Sequence, residues 1–263
     1  MSSSQLLVSR PGAPSDGVLL LSLNRPDRRN AITAEMYGAM ADALAEAAAD
    51  PTARVVVITG EGPHFTSGND LLDFQEAPPS LDDDSPVIRF LHAIATFEKP
   101  LMAAVEGAAV GVGTTLLLHC DLVVVSESAK LRMPFVSLAL VPEAGASLLL
   151  PRLVGHQKAA ELLLLSETLT GAEAHRLGLA ARCVAEGEAL QAALALALRV
   201  ADQPLGSLIL TKDLLRRPLR AELEAVMRAE GALFFERLGT PEAAEAFTAF
   251  FERRKPNFRG LEG

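Results

Sequence analysis

Three short stretches carry the residue types that could do chemistry. The first is His64-Phe65-Thr66-Ser67-Gly68-Asn69-Asp70, which follows the apolar run Val55 to Thr59 and the turn Gly60-Glu61-Gly62-Pro63. The second is Ala109-Val110-Gly111-Val112-Gly113-Thr114-Thr115, which follows Leu101 to Val105 and precedes an apolar helical stretch. Both put small residues where a strand ends and a helix begins, so backbone N–H groups can approach a ligand closely. Two such groups converging on one oxygen form an oxyanion hole, although either stretch alone is equally a tight turn that needs glycine. The third is Leu140-Val141-Pro142-Glu143-Ala144-Gly145-Ala146-Ser147. Glu143 is a carboxylate placed to carry a proton; the competing reading is a first-turn helix glutamate after Pro142, favoured by the helix dipole. The dipole would lower its pKa and burial would raise it. Other motifs fail. There is no GK[ST] phosphate loop and no HExxH, Gly145 to Leu149 lacks the last glycine of a GxSxG elbow, and Gly111-Val112-Gly113 lacks the third glycine and spaced acid of a dinucleotide loop.

The elements that must position these stretches follow from hydrophobic periodicity. Runs at 18–23, 55–59, 101–105 and 121–125, with a weaker one at 180–184, predict buried strands. Thr33 to Ala49 predicts a helix capped by Thr33, with Met36, Met40, Leu44 and Ala47 as its apolar stripe and Asp50-Pro51 as its stop. Beyond about residue 185 the alternation gives way to amphipathic helices, with Pro204, Pro218 and Pro241 near their starts. The pattern predicts an α/β fold with a mostly parallel sheet or spiral. The polar stretch Glu76 to Pro86, with three consecutive aspartates, predicts an exposed mobile loop.

Composition narrows the function. The chain has 263 residues, 24 Lys and Arg against 33 Asp and Glu for a net charge of −9, and 49% hydrophobic residues, which suits a globular enzyme rather than a disordered chain. The acidic balance argues against nucleic acid as a partner, since the basic clusters at Arg25 to Arg29 and Arg253 to Lys255 are too short for a duplex footprint. Either could hold one small phosphorylated ligand. Cys120 and Cys183 lie in apolar stretches, which predicts buried free thiols in a reducing compartment, and no CxxC metal motif is present. Without a signal-type or membrane-spanning run, the expected location is cytoplasmic.

Taken together and in order, five blocks resemble the crotonase superfamily, also called the enoyl-CoA hydratase/isomerase family, over essentially the whole chain. They are LNRPDRRNAIT (23–33), VVVITGEGPHFTSGNDL (55–71), KPLMAAVEGAAVGVGTTLLLHCDLVV (99–124), LALVPEAGASLLLPRLVG (138–155) and FTAFFERRKPNF (247–258). The resemblance implies a ClpP/crotonase-like spiral of ββα units over 1–185 and a helical C-terminal trimerisation region over 186–263, as a homotrimer or a hexamer of two trimers. It implies an acyl-coenzyme A thioester as substrate, with coenzyme A entering as part of it and no separate cofactor or metal. The implied oxyanion donors are the backbone N–H groups of Asn69 and Val112, at about 3–4 kcal/mol each. Coenzyme A would pass Arg28, Arg29, Ala31, Ser67 and Gly68, with Asp70, Leu71 and Gly111 beside it; Phe250 and Arg253 match positions on the C-terminal helix that reach the adenine and 3′-phosphate, often across a subunit boundary. Asp70 is equally explained as a structural cap of the following helix, His64 as a variable turn residue, His119 as a satisfied core histidine and His156 as a helix start.

The catalytic positions point away from water addition. The family's hydratase pattern needs two glutamates, and this chain has Thr115 and Phe135 at those positions. Glu143 resembles instead the single catalytic glutamate of the peroxisomal and yeast-like Δ3,Δ2-enoyl-CoA isomerases. One carboxylate suffices for a 1,3-proton shift, and Phe135, Leu138, Phe74 and Phe90 are expected to keep its pocket dry and raise its pKa. The alternatives are a hydratase, a non-catalytic acyl-CoA-binding protein, and a thioesterase- or dehalogenase-like relative.

Overall fold

The computed structural model describes residues 5–13, 16–76 and 82–261, the last three of the second span in backbone alone. Its main sheet has six strands in the order β1 (Leu6–Ser9), β2 (Val18–Leu23), β3 (Val55–Gly60), β4 (Leu101–Val105), β6 (Leu122–Ser126) and β9 (Arg182–Val184). β1 is antiparallel to β2 and every other pair is parallel, with Val18 opposite Val55 and Met102 opposite Leu122. The strands are apolar on both faces because both faces are covered. Leu21, Ile58, Ala103 and Val125 point into one core with α1 (Ala34–Ala49) and α3 (Pro86–Thr96). Val18, Leu20, Val57, Ala104 and Val124 point into a second core against α8 (Ala189–Ala201).

The predicted long strands and the helix Thr33 to Ala49 are present within a residue or two, and Thr33 Oγ1 accepts the Met36 N–H at 3.3 Å as its cap. Short strands without an apolar run were not foreseen. β5 (Ala108–Val110), β7 (Lys130–Arg132) and β8 (Thr168–Thr170) form a second sheet, so the second glycine turn leads off β5 rather than directly off β4. Of the expected loop 76–86, residues 77–81 lie outside the described residues, as does the side chain of Phe74; Glu76 ends α2 (Leu71–Glu76) and Asp82 to Asp84 are exposed. Cys120 and Cys183 are free as expected but only half-buried.

α5 (Ala146–Val154), α6 (His156–Leu164) and α7 (Gly171–Arg176) complete the first part, and α9 (Leu205–Arg216), α10 (Arg220–Leu238) and α11 (Pro241–Phe251) follow α8. α9 is anchored by buried Lys212, whose ammonium donates to the Lys99 carbonyl and pairs with Asp121, both at 2.7 Å; Lys99 in turn donates to the Ala47 and Asp50 carbonyls at the end of α1. Among the described residues no single helix is long and apolar enough to cross a membrane.

The sheet contact of α8 is built from Ala189, Ala193, Ala197 and Ala201, all at 5% exposure or less, and the four-residue spacing presents one small-residue face that lets the helix sit close to the strands. Ala193→Leu is therefore expected to overpack this layer and destabilise by about 1–3 kcal/mol, read as a lower urea midpoint; an unchanged midpoint would mean that α8 can move aside.

Candidate active site

The carboxyl ends of β2 and β3, and β5 beyond β4, deliver three loops to one place. The loop after β2 contains Arg29 and Asn30 in the left-handed region, at φ 52° and 55°. Asn30 is fully buried: its Oδ1 accepts the Arg25 N–H at 2.8 Å, and its Nδ2 donates to the carbonyls of Glu61 and His64 at 2.9 and 2.8 Å. Thr66 then joins the loops. Its N–H donates to Ala108 O, its carbonyl accepts from Val110 N, and its hydroxyl donates to Asn30 O at 2.6 Å while accepting the Gly68 N–H at 3.0 Å. Gly68 sits at φ 85°, where a Cβ would stand 2.6 Å from Val110 O, so neither its conformation nor its space admits a side chain. His64 takes part in this packing, since its Nδ1 accepts from Ala108 N at 3.3 Å.

This packing disposes the donors. Gly68 N is used by Thr66, Asp70 N donates to Ile32 O, and Gly111 N donates to Arg132 O, whereas Asn69 N and Val112 N carry no such bond among the described residues. Val112 opens the one-turn helix α4 (Val112–Thr115), so its N–H points out of the helix. The Asn69 side chain is fixed by Tyr37, the only tyrosine of the chain, whose buried hydroxyl donates to Asn69 Oδ1. Burial, and then the charge of Glu143, push the Tyr37 phenol well above its ordinary value, so it stays a donor. Phe90 packs against Tyr37 with ring centroids 5.4 Å apart and planes tilted by 54°, and it backs the site instead of lining it, which corrects the expectation that it walls the pocket.

Glu143 is not in the first turn of a helix. α5 begins at Ala146 with Gly145 as its N-cap, so the dipole reading falls. Burial pushes the Glu143 carboxyl up to about 7; a hydrogen bond donated by the Thr115 hydroxyl pulls it back, and the charge of Glu230 adds to the rise. The Thr115 hydroxyl thus orients the Glu143 carboxyl. His119 is the satisfied core histidine expected: burial lowers it to about 4, and its Nε2–H donates to Ala144 O at 2.7 Å. His156 is the first residue of α6.

Every residue expected to act in catalysis or to hold coenzyme A lines one cleft of about 780 Å³. Glu143, Asn69, Gly111, Val112, Phe135 and Leu138 lie on one part of its wall; Arg28, Arg29, Ala31, Ser67, Gly68, Asp70 and Leu71 on another; Phe250 and Arg253 come from the C-terminal segment of the same chain. Arg253 lies just past α11 at φ 56°, rather than on the helix. Ser67 N donates to Arg29 O at 2.9 Å, which ties the basic turn to the first glycine turn. Asp70 is held by Arg25 at 2.9 Å and accepts from Leu72 N; desolvation opposes its ionisation, yet the Arg25 contact and the amides of Asp73 and Leu72 keep its carboxyl below the usual range. Phe135 is buried and meets Phe234 of α10 edge-on at 6.5 Å, an apolar wall close to Glu143. Sequence reasoning did not single out Asn30, Tyr37 or Glu230. Nothing in their local spacing marks them, because each acts on a segment distant in sequence. Among the described residues no His, Cys, Asp and Glu cluster has metal-binding geometry.

A mostly parallel sheet whose loops bring two glycine turns, each with an unbonded N–H among the described residues, to one cleft beside a carboxylate raised by burial is the arrangement of a crotonase-fold enzyme. The family model for enoyl-CoA hydratase/isomerase matches residues 14–261, and the chain belongs to that family. It is 35% identical over 259 residues to 2,3-dehydroadipyl-CoA hydratase of Escherichia coli, covering 98% of this chain and 99% of that one. It is 34% identical over 257 residues to enoyl-CoA delta isomerase 2 of Rattus norvegicus, covering 96% of this chain and 64% of the rat protein. The structure of Pseudomonas aeruginosa OdaA superposes with a TM-score of 0.90 at 50% identity, covering 95% of this chain and 100% of that one.

Thr115→Val removes the hydrogen bond that favours the ionised form of Glu143, so the ionisation at about 7 is expected to move upward. The acid limb of the kcat/KM profile would shift to higher pH; an unmoved limb would mean that the hydroxyl does not act on the base.

Proposed function

We propose that this protein is a Δ3,Δ2-enoyl-CoA isomerase, moving the double bond of an acyl-CoA thioester from position 3 to position 2. The observation that carries this reading is the isolation of Glu143. Among the described residues the carboxylates lining the cleft are Asp27, Asp70 and Glu143. Asp27 is 81% exposed and Asp70 is committed to Arg25, which leaves half-buried Glu143 as the one among them without a cation partner and with its carboxyl raised by burial. The Glu143 carboxylate takes a proton from C2, and the C–H electron pair delocalises into the thioester as a dienolate whose oxygen is held by Asn69 N–H and Val112 N–H. The carboxylic acid so formed returns the proton at C4, and the electrons close the C2–C3 double bond. The proton balance is zero and no electrons are gained or lost, so no redox cofactor is called for.

A carboxyl near 7 suits both halves of this cycle, since a base that must also serve as the acid works best close to the ambient pH. Water addition needs two groups to hold and deprotonate a water. Here Thr115 gives its hydroxyl to Glu143 and Phe135 is apolar, which supports the isomerase over the hydratase. Arg28, Arg29 and Arg253 would meet the phosphates of coenzyme A, and Phe250, 58% exposed, the adenine. The exposed Leu210, Leu214 and Leu215 of α9 support a homotrimer or hexamer, and we place the enzyme in the cytoplasm.

Mixing the protein with a 3-enoyl-CoA is expected to raise the ultraviolet absorbance of the conjugated thioester, and a 2-enoyl-CoA is expected to show no fall. A fall with the second substrate would make it a hydratase, and silence with both a binding protein. Glu143→Gln should lower turnover by roughly 10²–10⁴-fold with thioester binding retained. The same variant makes a stability prediction. Because Glu143 is raised from 4.5 to about 7, the unfolded chain releases this proton first, and folding stability is lost as pH rises through that window. Glu143→Gln should therefore be the more stable protein above pH 7, by on the order of 1–3 kcal/mol, with the difference vanishing below about 4.5. Equal denaturation midpoints at both ends would mean that the carboxyl is not desolvated.

A further inference from the structure

Glu230 is a buried carboxylate, 7% exposed, that does not line the cleft and has no part in the proton shift. It comes from the middle of α10 and accepts three hydrogen bonds from a segment some eighty residues earlier: Gly145 N at 2.6 Å, Ser147 N at 2.8 Å and Ser147 Oγ at 2.5 Å. These are groups at the start of α5, whose N-cap, Gly145, has no side chain to satisfy them. A helix without a cap of its own is capped by a charge from another helix, where the free amides and the dipole favour an anion. On the other side, His119 Nε2–H holds Ala144 O at 2.7 Å. Between the two clamps, Ala144 and Gly145 are consecutive left-handed residues, at φ 57° and 72°. Alanine adopts that conformation reluctantly, and the segment directly after Glu143 is held in it by both clamps together with its own turn bond from Ala146 N to Glu143 O at 3.1 Å.

We propose that Glu230 is a positioning residue for Glu143: its carboxylate anchors the 143–147 segment through the α5 N-terminus, and its charge acts on the base across that segment. The inference rests on the reading of Glu143 as the proton carrier and names what holds it. The like charge works in the same direction as burial, raising the Glu143 carboxyl, and Thr115 opposes both. The titratable groups around Glu143 are Tyr37 from α1, Glu230 from α10 and, beyond Ala144, His119, against which Lys212 and Arg216 of α9 are set. Tyr37 and His119 are neutral at working pH, Lys212 and Arg216 act on His119, Arg132 and Asp70 line the same cleft, and Glu230 is the charge that acts on Glu143 itself.

Glu230→Gln and Glu230→Asp test this in the full-length protein. Glutamine keeps the size of the side chain, deletes the charge and faces one donor with another; aspartate keeps the charge on a shorter reach. The Glu143 ionisation is followed by carbon-13 NMR of protein labelled at the glutamate carboxyls, its resonance assigned by its loss in Glu143→Gln, alongside the pH profile of turnover of a 3-enoyl-CoA. In Glu230→Gln the midpoint is expected to fall by on the order of 0.5–1 pH unit, with kcat reduced roughly 10–100-fold. In Glu230→Asp the midpoint is expected to stay while kcat falls. An unmoved midpoint in Glu230→Gln, whatever happens to its melting temperature, reduces Glu230 to a helix cap and overturns the proposal. Where Glu230→Gln does not fold, Glu230→Asp decides: reduced kcat with an unmoved midpoint supports the placement, and wild-type kcat overturns it. The NMR midpoint needs no turnover. An unaltered protein silent towards 3-enoyl-CoA would sink the isomerase reading while the Glu143 titration still judged Glu230.

Discussion

The site depends on one residue-to-residue bridge, Thr66 against Ala109. Through it the two glycine turns become one surface, since Thr66 exchanges backbone hydrogen bonds with Ala108 and Val110 on one side and, through its hydroxyl, binds Asn30 and Gly68 on the other. Each such bond is worth only about 1 kcal/mol net, but leaving one of these buried groups unpaired costs about 1–3 kcal/mol, so the set holds together or fails together. Spacing is equally constrained. A Cβ on Gly113 would stand 2.3 Å from the Thr66 methyl, so the second turn packs directly on the first. The relative position of the Asn69 and Val112 amides is therefore set by backbone contacts.

The sheet supplies what the bridge cannot, a common origin for the loops. β2 and β3 are parallel and adjacent, so their carboxyl ends open towards the same edge, the usual place for a ligand in such a sheet. Glu61 N donates to Leu23 O, joining the two strand ends as they leave the sheet, and Asn30 spans the same gap from its side chain. With both sheet faces buried, against α1 and α3 on one side and the alanine face of α8 on the other, there is little freedom for these ends to drift. That rigidity lets three loops of ordinary sequence act as a preorganised site.

The sequence showed the parts that local patterning controls. Val55 to Thr59 and Leu101 to Val105 are legible as strands because a two-faced buried strand must be apolar throughout, and Thr33 is legible as a cap because its hydroxyl has one obvious use. β5, β7 and β8, at three residues each, carry no such signature; their strand character comes from pairing with one another. At the site, the glycine turns and Glu143 were legible through residue type and order. What holds them was not. Glu230 reaches Ser147 across 83 positions and Tyr37 reaches Asn69 across 32, and no spacing rule connects residues that only the tertiary fold brings together. The dipole reading of Glu143 failed for the same reason: local sequence allowed a helix to begin there, but the chain turns left-handed at Ala144 and Gly145 and the helix starts later.

That displacement has a chemical consequence. Had Glu143 occupied the first turn, the amides would have stabilised its anion and made it a weaker base. Placing Glu230 on those amides reverses the arrangement, giving the structural carboxylate the helix terminus and leaving the cleft carboxylate in an apolar recess with one hydroxyl for company. The two glutamates thus occupy opposite environments, one satisfied by three donors and one raised by burial, which sets the structural acid apart from the proposed proton carrier. Phe135 and Phe234 complete the separation. An apolar wall offers a water no hydrogen-bond partner beside Glu143, which supports the proposed shift of a proton between carbons over water addition.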